Sequence, residues 1–406
     1  MKVLSFTTLF PNAAEPAHGV FVRNRLLALA AGGDIELRVV APVRWFPFGH
    51  RRFGRWARFA RAPRAERQHG LAVYHPRYPV LPKVGMHLAP ASLAAAARPV
   101  LARLVARGFD FDLIDAHYFY PDGVAAAALA RDFVKPLVIT ARGTDVNLIP
   151  QRHPLARRRI LAAAGQADAV VSVCAALRDA LVDLGVAAER VCVLRNGVDL
   201  ALFRPPADRA ALRRRLGLAG PTLLSVGHLI ERKGHDRVIR ALAELPEHRL
   251  VIIGRGPEEG ALRRLAARCA VAERVRFAGT FAPAELRDWY GAADALVLAS
   301  SREGWANVLL EAMACGTPVV ATPVWGTPEV VADPAAGRLS ADRSPQALAA
   351  AVRALAAAPP PRAATRAWAE RFGWQDTADG LRRLFGAIVA RRRAAAATAP
   401  GGAASR

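Results

Sequence analysis

The sequence predicts an α/β protein of two similar domains, each a parallel sheet with helices on both faces. Three observations carry this. Short apolar runs of strand length alternate with helix-length patterns, as parallel strands buried on both faces require. The alternation occurs twice, and Gly197, Pro205 and Pro206 break the periodicity between the two series. The length, 406 residues with 53% hydrophobic and 22% charged, can fill two cores and favours two domains over one.

In the first series, MKVLSFTTLF predicts a strand over Val3–Thr8. Pro11, Asn12 and Glu15 follow it, so the run reads as a strand and not as a signal peptide. A helix is expected over Phe21–Ala31, and strands at Ile35–Ala41, Leu113–Ala116, Leu137–Thr140 and Ala169–Val173. Leu88–Val105 is Ala-rich, is interrupted by Pro90 and Pro99 and carries Arg98 and Arg103, so it reads as a poor bilayer span. No transmembrane helix is expected. This places the first domain at residues 1–198 and an interdomain linker at 199–219, read from the break in NGVDLALFRPPADRAALRRRLGL (196–218). The second series has strands at Thr222–Val226, Arg249–Ile253, Val275–Phe277, Ala295–Ala299 and Pro318–Ala321, and its domain spans 220–372. A helix follows at 373–392, and the low-complexity tail 393–406 is expected to be disordered.

The formal charge of +23, carried mostly by arginine, implies attraction to polyanions: nucleic acid, an anionic membrane surface, or an acidic or diphosphate-linked substrate. No RNA-binding module signature accompanies it, so no nucleic-acid partner is expected. The four cysteines, Cys174, Cys192, Cys269 and Cys315, have no paired spacing. That argues against a disulfide framework and a zinc site and fits a reducing cytosol.

The stretch EGWANVLLEAMACGTPVVATPVWGTPEV sets Glu303 and Glu311 eight positions apart. In one continuous helix they would stand about 80° apart and share no face. Glu303 therefore belongs to the loop after the strand, with a helix starting between Ala306 and Val308 and Glu311 inside it. The first-turn amides of such a helix suit a phosphate, and carboxylates beside them can accept from sugar hydroxyls. After the strand Thr222–Val226 comes GHLIERKGHD, where Gly227 permits close backbone approach and Arg232 and Lys233 precede a helix. Two cations there could neutralise the charge that develops on a departing diphosphate.

Glu303 to Val320, with PAHGVFVRNRLLALA near the start, TARGTDVN at 140–147, NGVDLALF at 196–203 and VGHLIERKGHD at 226–236, resembles the family-4 retaining glycosyltransferases, of the group 1 type. The resemblance covers nearly the whole chain and implies the GT-B fold, two facing Rossmann-like domains with a donor-binding cleft between them. It also implies that the last helix crosses back to the first domain. As implied roles, Lys233, Arg232 and Glu303 are catalytic. Gly19, Val20, Gly227, His228, Asn307, Val308 and Glu311 bind the donor, Asn307 and Val308 through backbone amides and Glu311 through the ribose hydroxyls. His117, Arg142 and Asp145 stand on the acceptor side. Two positions depart from the pattern. The family usually has arginine where this chain has His228, and often histidine where it has Arg142; an arginine cannot serve as a general base. His117 fits either a cleft-lining residue or a buried structural histidine, and His18 either a donor-loop residue or a solvent-facing one.

Asp110, Asp112 and Asp115 include the DxD spacing that chelates metal in other glycosyltransferases, but here it enters a strand. Basic residues meet the diphosphate in GT-B members, so no metal and no cofactor beyond the nucleoside-diphosphate sugar is expected. GRGPEEG at 254–260 is not GxGxxG, which argues against a dinucleotide oxidoreductase. Residues 43–70 interleave six aromatic residues, among them Trp45, Phe48 and Trp56, with many arginines. This segment fits either a patch for an anionic membrane surface or a loop and helix packed on the first domain.

The expected function is retaining, hexosyltransferase-type transfer of a sugar from a nucleoside diphosphate to a glycan or lipid-linked acceptor, in cell-surface polysaccharide or glycolipid synthesis. The expected location is cytoplasmic, peripheral at the inner face of the membrane. The rival readings are a GT-B nucleotide-sugar epimerase and a non-catalytic nucleotide-sugar-binding protein.

Overall fold

The structure is a computed structural model that describes residues 1–80 and 85–398. It divides into two compact units. Unit 1 holds Met1–Leu194 and the chain from Gln375 onward; unit 2 is Arg195–Trp374.

Unit 1 contains β1 (Lys2–Phe6), β2 (Glu36–Val40), β3 (Val43–Arg44), β4 (Ala65–Gln68), β5 (Leu71–Tyr74), β6 (Arg77–Tyr78), β7 (Leu113–His117), β8 (Leu137–Ala141), β9 (Ala169–Ser172) and β10 (Val191–Val193). Eight of them form one sheet in the order β10-β9-β8-β7-β1-β2-β5-β4, and β3 pairs with β6 apart from it. Every pairing in the large sheet is parallel except β4 with β5. Strands β7 and β8 are buried at every residue; β8 reads as a near-continuous apolar run, while β7 also buries Asp115 and His117. The sequence reading does not anticipate β3 to β6. They are two to four residues long, and β3, β4 and β6 carry Arg, Glu or Gln, so these lack a buried-strand signal and β5 is short.

One core joins a face of this sheet to two helices. Val3, Val39, Leu113, Val138 and Val171 meet Leu26 and Leu29 of the helix Val20–Ala30 and Leu381, Phe385 and Ile388 of the helix Trp374–Thr398. Burying each such side chain contributes about 1.5 to 3 kcal/mol, so the last helix is held to unit 1 by its apolar stripe. Arg382 adds bonds to Asp34 and to the carbonyl of Leu29. The helix runs to Thr398, beyond the expected end at residue 392, so 393–398 are helical and not disordered; the rest of the expected disordered tail, 399–406, lies outside the described residues.

The helix Gly85–Ala106 corrects a second expectation, because it passes through Pro90 and Pro99 without ending. Its buried residues Pro90, Leu93, Ala94, Ala97, Leu101 and Leu104 recur at helical spacing. That burial offsets the roughly 3 kcal/mol an interior proline costs. It is the one helix among the described residues long and apolar enough to cross a membrane, contrary to the reading of a broken stretch; its stripe is buried within unit 1.

Unit 2 contains β11 (Thr222–Val226), β12 (Arg249–Ile253), β13 (Val275–Gly279), β14 (Ala295–Leu298), β15 (Val319–Ala321) and β16 (Gly337–Leu339). They form one wholly parallel sheet in the order β13-β12-β11-β14-β15-β16, the doubly wound arrangement with one reversal of order, between β11 and β14. The expected linker at 199–219 belongs to this unit. It contains the helix Arg209–Leu216, capped by Asp208, whose side chain accepts from Ala211 N at 2.9 Å. Arg209 and Arg213 bind Asp294 at 2.5 and 3.0 Å. The prolines mark the entry to this helix and not a free linker, so the chain passes between the units at 194–195 and 374–375.

Candidate active site

In a doubly wound sheet, ligands bind beyond the carboxyl ends of the strands where the order reverses. In unit 2 those strands are β11 and β14, and the loops that leave them carry the predicted residues Gly227 to Lys233 and Glu303 to Val308. Two contacts knit these loops together. Ser301 N donates to the carbonyl of Arg232 at 2.8 Å. Gly234 has φ +70°, and a Cβ there would lie 2.1 Å from the carbonyl oxygen of Ala299, so only glycine fits.

This placement brings Lys233, Arg232 and Glu303 together. Lys233 Nζ donates to Glu303 Oε1 at 2.6 Å, and Ser300 Oγ donates to the same oxygen at 2.6 Å. Arg232 Nη1 lies 3.6 Å from Glu303 Oε2 and donates to the carbonyl of Arg302 at 2.9 Å. Glu303 is 7% exposed. Its Oε1 is engaged twice while Oε2 has the longer contact, so the carboxylate keeps capacity to accept another hydrogen bond. A side chain at Gly227 would meet the stem of Lys233 at 3.5 Å; the lysine runs across that glycine to reach the glutamate. His228 is exposed on the same loop. His235, which follows, is buried with Nδ1 2.9 Å from Ser225 Oγ, and burial lowers its pKa to about 4, so it is neutral.

The helix after β14 starts at Asn307 with Ala306 as its cap. Asn307 N donates to the carbonyl of Trp305 at 3.1 Å. This amide is therefore turned back on its own loop, against the expectation that it faces a phosphate; the Val308 amide lies in the first turn, where the helix supplies no acceptor. Glu311 follows one turn on. Tyr290, fully buried, donates from its hydroxyl to Glu311 Oε2 at 2.8 Å. Burial raises the Glu311 carboxyl to about pKa 7, and the Tyr290 hydrogen bond opposes that rise. Trp305 Nε1 and Asn307 Oδ1 are buried without a protein partner beside them.

In unit 1 the order reverses between β1 and β7. Gly19 caps the helix that begins at Val20 in the left-handed region, φ +69°, and a Cβ there would meet the Leu9 carbonyl carbon at 2.3 Å. His18 Nε2 is 3.0 Å from the carbonyl oxygen of Thr8. Buried Asp122 accepts from Thr8 N at 2.6 Å and ties this loop to the turn Phe119–Gly123 that follows β7; burial raises its carboxyl to about pKa 7.

His117 ends β7 fully buried, at the base of the loops. Its Nδ1 lies 2.8 Å from Arg142 Nη2 and its Nε2 3.1 Å from Asp115 Oδ2. Burial lowers its pKa to about 4. The ring is neutral, Arg142 donates to Nδ1, and the proton stands on Nε2 toward Asp115. Arg142 also stacks over the Phe21 ring, 5.5 Å from its centroid. Asp145 accepts from the amides of Phe119, Arg142 and Gly143 at 2.8, 3.1 and 2.7 Å, so its carboxylate shapes the loop after β8.

The aspartates with DxD spacing are engaged by the fold. Asp110 pairs with Lys135 at 2.7 Å, and Asp112 accepts from Lys2 N at 2.8 Å and Arg393 at 2.7 Å. In GRGPEEG, Arg255 accepts from Leu229 N through its carbonyl at 3.0 Å, so this turn buttresses the loop after β11. The sequence reading misses Ser300 and Tyr290. Each acts through a glutamate that the sequence does single out, Ser300 through Glu303 and Tyr290 through Glu311, but neither stands in a recognisable pattern itself.

Residues 208–371 match the family described as Glycosyl transferases group 1, and residues 59–202 the family described as Glycosyltransferase Family 4. The D-inositol 3-phosphate glycosyltransferase of Xylanimonas cellulosilytica is 35% identical over 308 residues, 70% of this chain and 74% of that protein. The chain is a family-4 glycosyltransferase. A Bacillus subtilis protein named for a glycosyltransferase of teichuronic acid biosynthesis, TuaC, is 30% identical over 80% of this chain and 82% of its own length. Among solved structures, the sucrose-phosphate synthase of Thermosynechococcus elongatus superposes with TM-score 0.80 at 23% identity, over 96% of this chain and 99% of that one. Anabaena HepE in complex with UDP superposes with TM-score 0.72 at 21% identity, over 95% and 100%. Those likenesses establish the GT-B fold of this glycosyltransferase.

Proposed function

We propose that this glycosyltransferase moves a hexosyl group from a nucleoside diphosphate to a glycan or lipid-linked acceptor with retention of anomeric configuration, in cell-surface polysaccharide or glycolipid synthesis. The observation that carries the reading is the Lys233–Glu303–Ser300 cluster at the β11/β14 reversal, with Glu311 in the adjoining helix. Glu303 Oε2 holds donor-sugar hydroxyls, Glu311 accepts from the ribose, and the Val308 amide faces the phosphates. The anomeric carbon–phosphate oxygen bond breaks, the bond to the acceptor oxygen forms on the same face, and the departing phosphate oxygen takes the acceptor proton. No enzymic nucleophile is required, which agrees with arginine at position 142. Lys233 and Arg232 stabilise the charge that grows on the diphosphate; an ammonium has three donors, so one bond to Glu303 leaves two. Names of relatives support the substrate class: HepE is described with UDP and with UDP-glucose. The name of TuaC, for teichuronic acid biosynthesis, supports a role in polysaccharide synthesis. The four cysteines are free thiols, which supports a reducing, cytoplasmic location.

The test is a thermal-shift panel with UDP, GDP, ADP and their sugar conjugates, because a ligand bound by the native state alone raises its stability. One nucleotide class is expected to raise the melting temperature, and Lys233→Ala and Glu311→Ala to lose that shift. No shift with any member overturns the donor site.

A further inference from the structure

Unit 1 carries an exposed aromatic patch that the site above does not use. Every large apolar side chain exposed among the described residues belongs to this unit, and three lie in one segment between β3 and β4: Trp45 at 54%, Phe48 at 55% and Trp56 at 36%. Their rings form one layer with Phe46 and Phe53. Phe46 meets Phe48, Phe53 and Trp56 at centroid distances of 6.1, 5.5 and 5.8 Å. The layer is anchored below, since Ala57 of the short helix Arg55–Arg61 is fully buried, so the outer rings are presented on a built surface.

Charge decides what covers it. Residues 43–64 contain seven arginines and no aspartate or glutamate; Arg51, Arg52 and Arg58 are exposed among the rings, with Glu15 3.8 Å from Arg58. A second copy of this chain, docking by the same face about a two-fold axis, would set arginines against arginines. Stacked nucleobases need open ring faces, whereas Phe46, Phe48 and Phe53 contact each other edge-on or stacked. Indole and phenyl rings exposed beside guanidinium groups match the boundary of an anionic bilayer, where the rings enter the headgroup layer and the guanidiniums meet lipid phosphates.

We propose that Trp45, Phe48, Trp56, Arg51, Arg52 and Arg58 form a docking face for an anionic lipid bilayer. The segment leaves the large sheet at the carboxyl end of β2, the end at which His117 and Arg142 also stand. Docking there turns the acceptor-side loops toward the lipid surface. This use of the face rests on the transferase reading, but the binding itself does not.

The experiment is co-sedimentation of the full chain with vesicles of phosphatidylcholine and phosphatidylglycerol, against phosphatidylcholine alone. Binding is expected to the anionic vesicles only and to fall with added salt as surface charge is screened. Neutralising one arginine lowers affinity about fivefold, so Arg51→Ser/Arg52→Ser/Arg58→Ser together lower it about 100-fold. Trp45→Ser/Phe48→Ser/Trp56→Ser removes the remaining apolar anchor. Quenching of wild-type tryptophan fluorescence by brominated lipid is an independent readout that needs no variant. Equal binding to both vesicle types, no sedimentation, or unchanged binding by both triple variants overturns the proposal. So does a lipid-free dimer that the variants dissolve. Nucleoside-diphosphate binding by unit 2, measured on the same samples, separates failure of this face from failure of the transferase reading.

Discussion

Lowering the pH from 8 to 6 is expected to weaken nucleoside-diphosphate binding about tenfold through Glu311. Burial holds this carboxyl at about pKa 7, against an ordinary value of 4.5, so it is mostly ionised at pH 8 and mostly protonated at pH 6. Only the carboxylate accepts from both ribose hydroxyls. The apparent dissociation constant therefore scales as one plus the ratio of protonated to ionised carboxyl, about 1.1 at pH 8 and about 11 at pH 6. The neighbouring titratable groups do not obscure this window: burial raises Tyr290 well above its ordinary value and Cys315 to about 12. Tyr290→Phe removes the hydrogen bond that favours the carboxylate, about 1.5 kcal/mol or one pH unit. Binding at pH 7 is then expected to weaken about fivefold, with recovery near pH 9. Isothermal titration calorimetry at pH 6, 7 and 8, in buffers of different ionisation enthalpy, reads both the affinity and the proton released. Glu311→Gln is expected to flatten the pH dependence. The sign for stability is the reverse of that for binding. A carboxyl raised in the folded state stabilises least when ionised, so free-protein stability falls as pH rises from 4.5 through 7, and Glu311→Gln is expected to gain about 1 to 3 kcal/mol at pH 8. A wild-type affinity that is flat between pH 6 and 8 would refute the assignment of Glu311 to the ribose.

Lys233→Ala is expected to lower kcat about 100- to 1000-fold. In urea melts, Lys233→Met and Glu303→Gln are expected to couple by about 1 to 3 kcal/mol, because each alone strands a largely buried partner; additive effects would show that the 2.6 Å pair is not formed in solution. Gly234→Ala forces a side chain onto the Ala299 carbonyl at a left-handed residue, and is expected to cost about 2 to 4 kcal/mol and abolish nucleotide binding. Gly260→Ala, whose added Cβ meets Arg264 no closer than 3.6 Å, serves as the tolerated control. His117, neutral with a pKa of about 4 against 6.5, is expected to show no imidazole titration above pH 5 by NMR. Because its folded pKa is depressed, stability is lost as pH falls from 6.5 through 4; a titration near 6.5 would mean the buried Arg142–His117–Asp115 chain is open.

The sequence by itself determined the class of the protein. Parallel strands buried on both faces are mostly apolar, so β1, β7, β8, β11, β12 and β14 were legible where they occur. A glutamate after one strand and a lysine before one helix are local signals, and they located Glu303 and Lys233. Tertiary structure decided what distance along the chain conceals. It decided that Lys233 closes on Glu303 across 70 residues and that Tyr290 holds Glu311 from another helix. It decided that Asp145 turns to backbone amides and Asn307 N to Trp305, and that prolines 90 and 99 sit inside a helix whose burial offsets their cost. Those outcomes depend on which groups burial leaves in need of a partner, a property of the packed chain and not of any one segment of it.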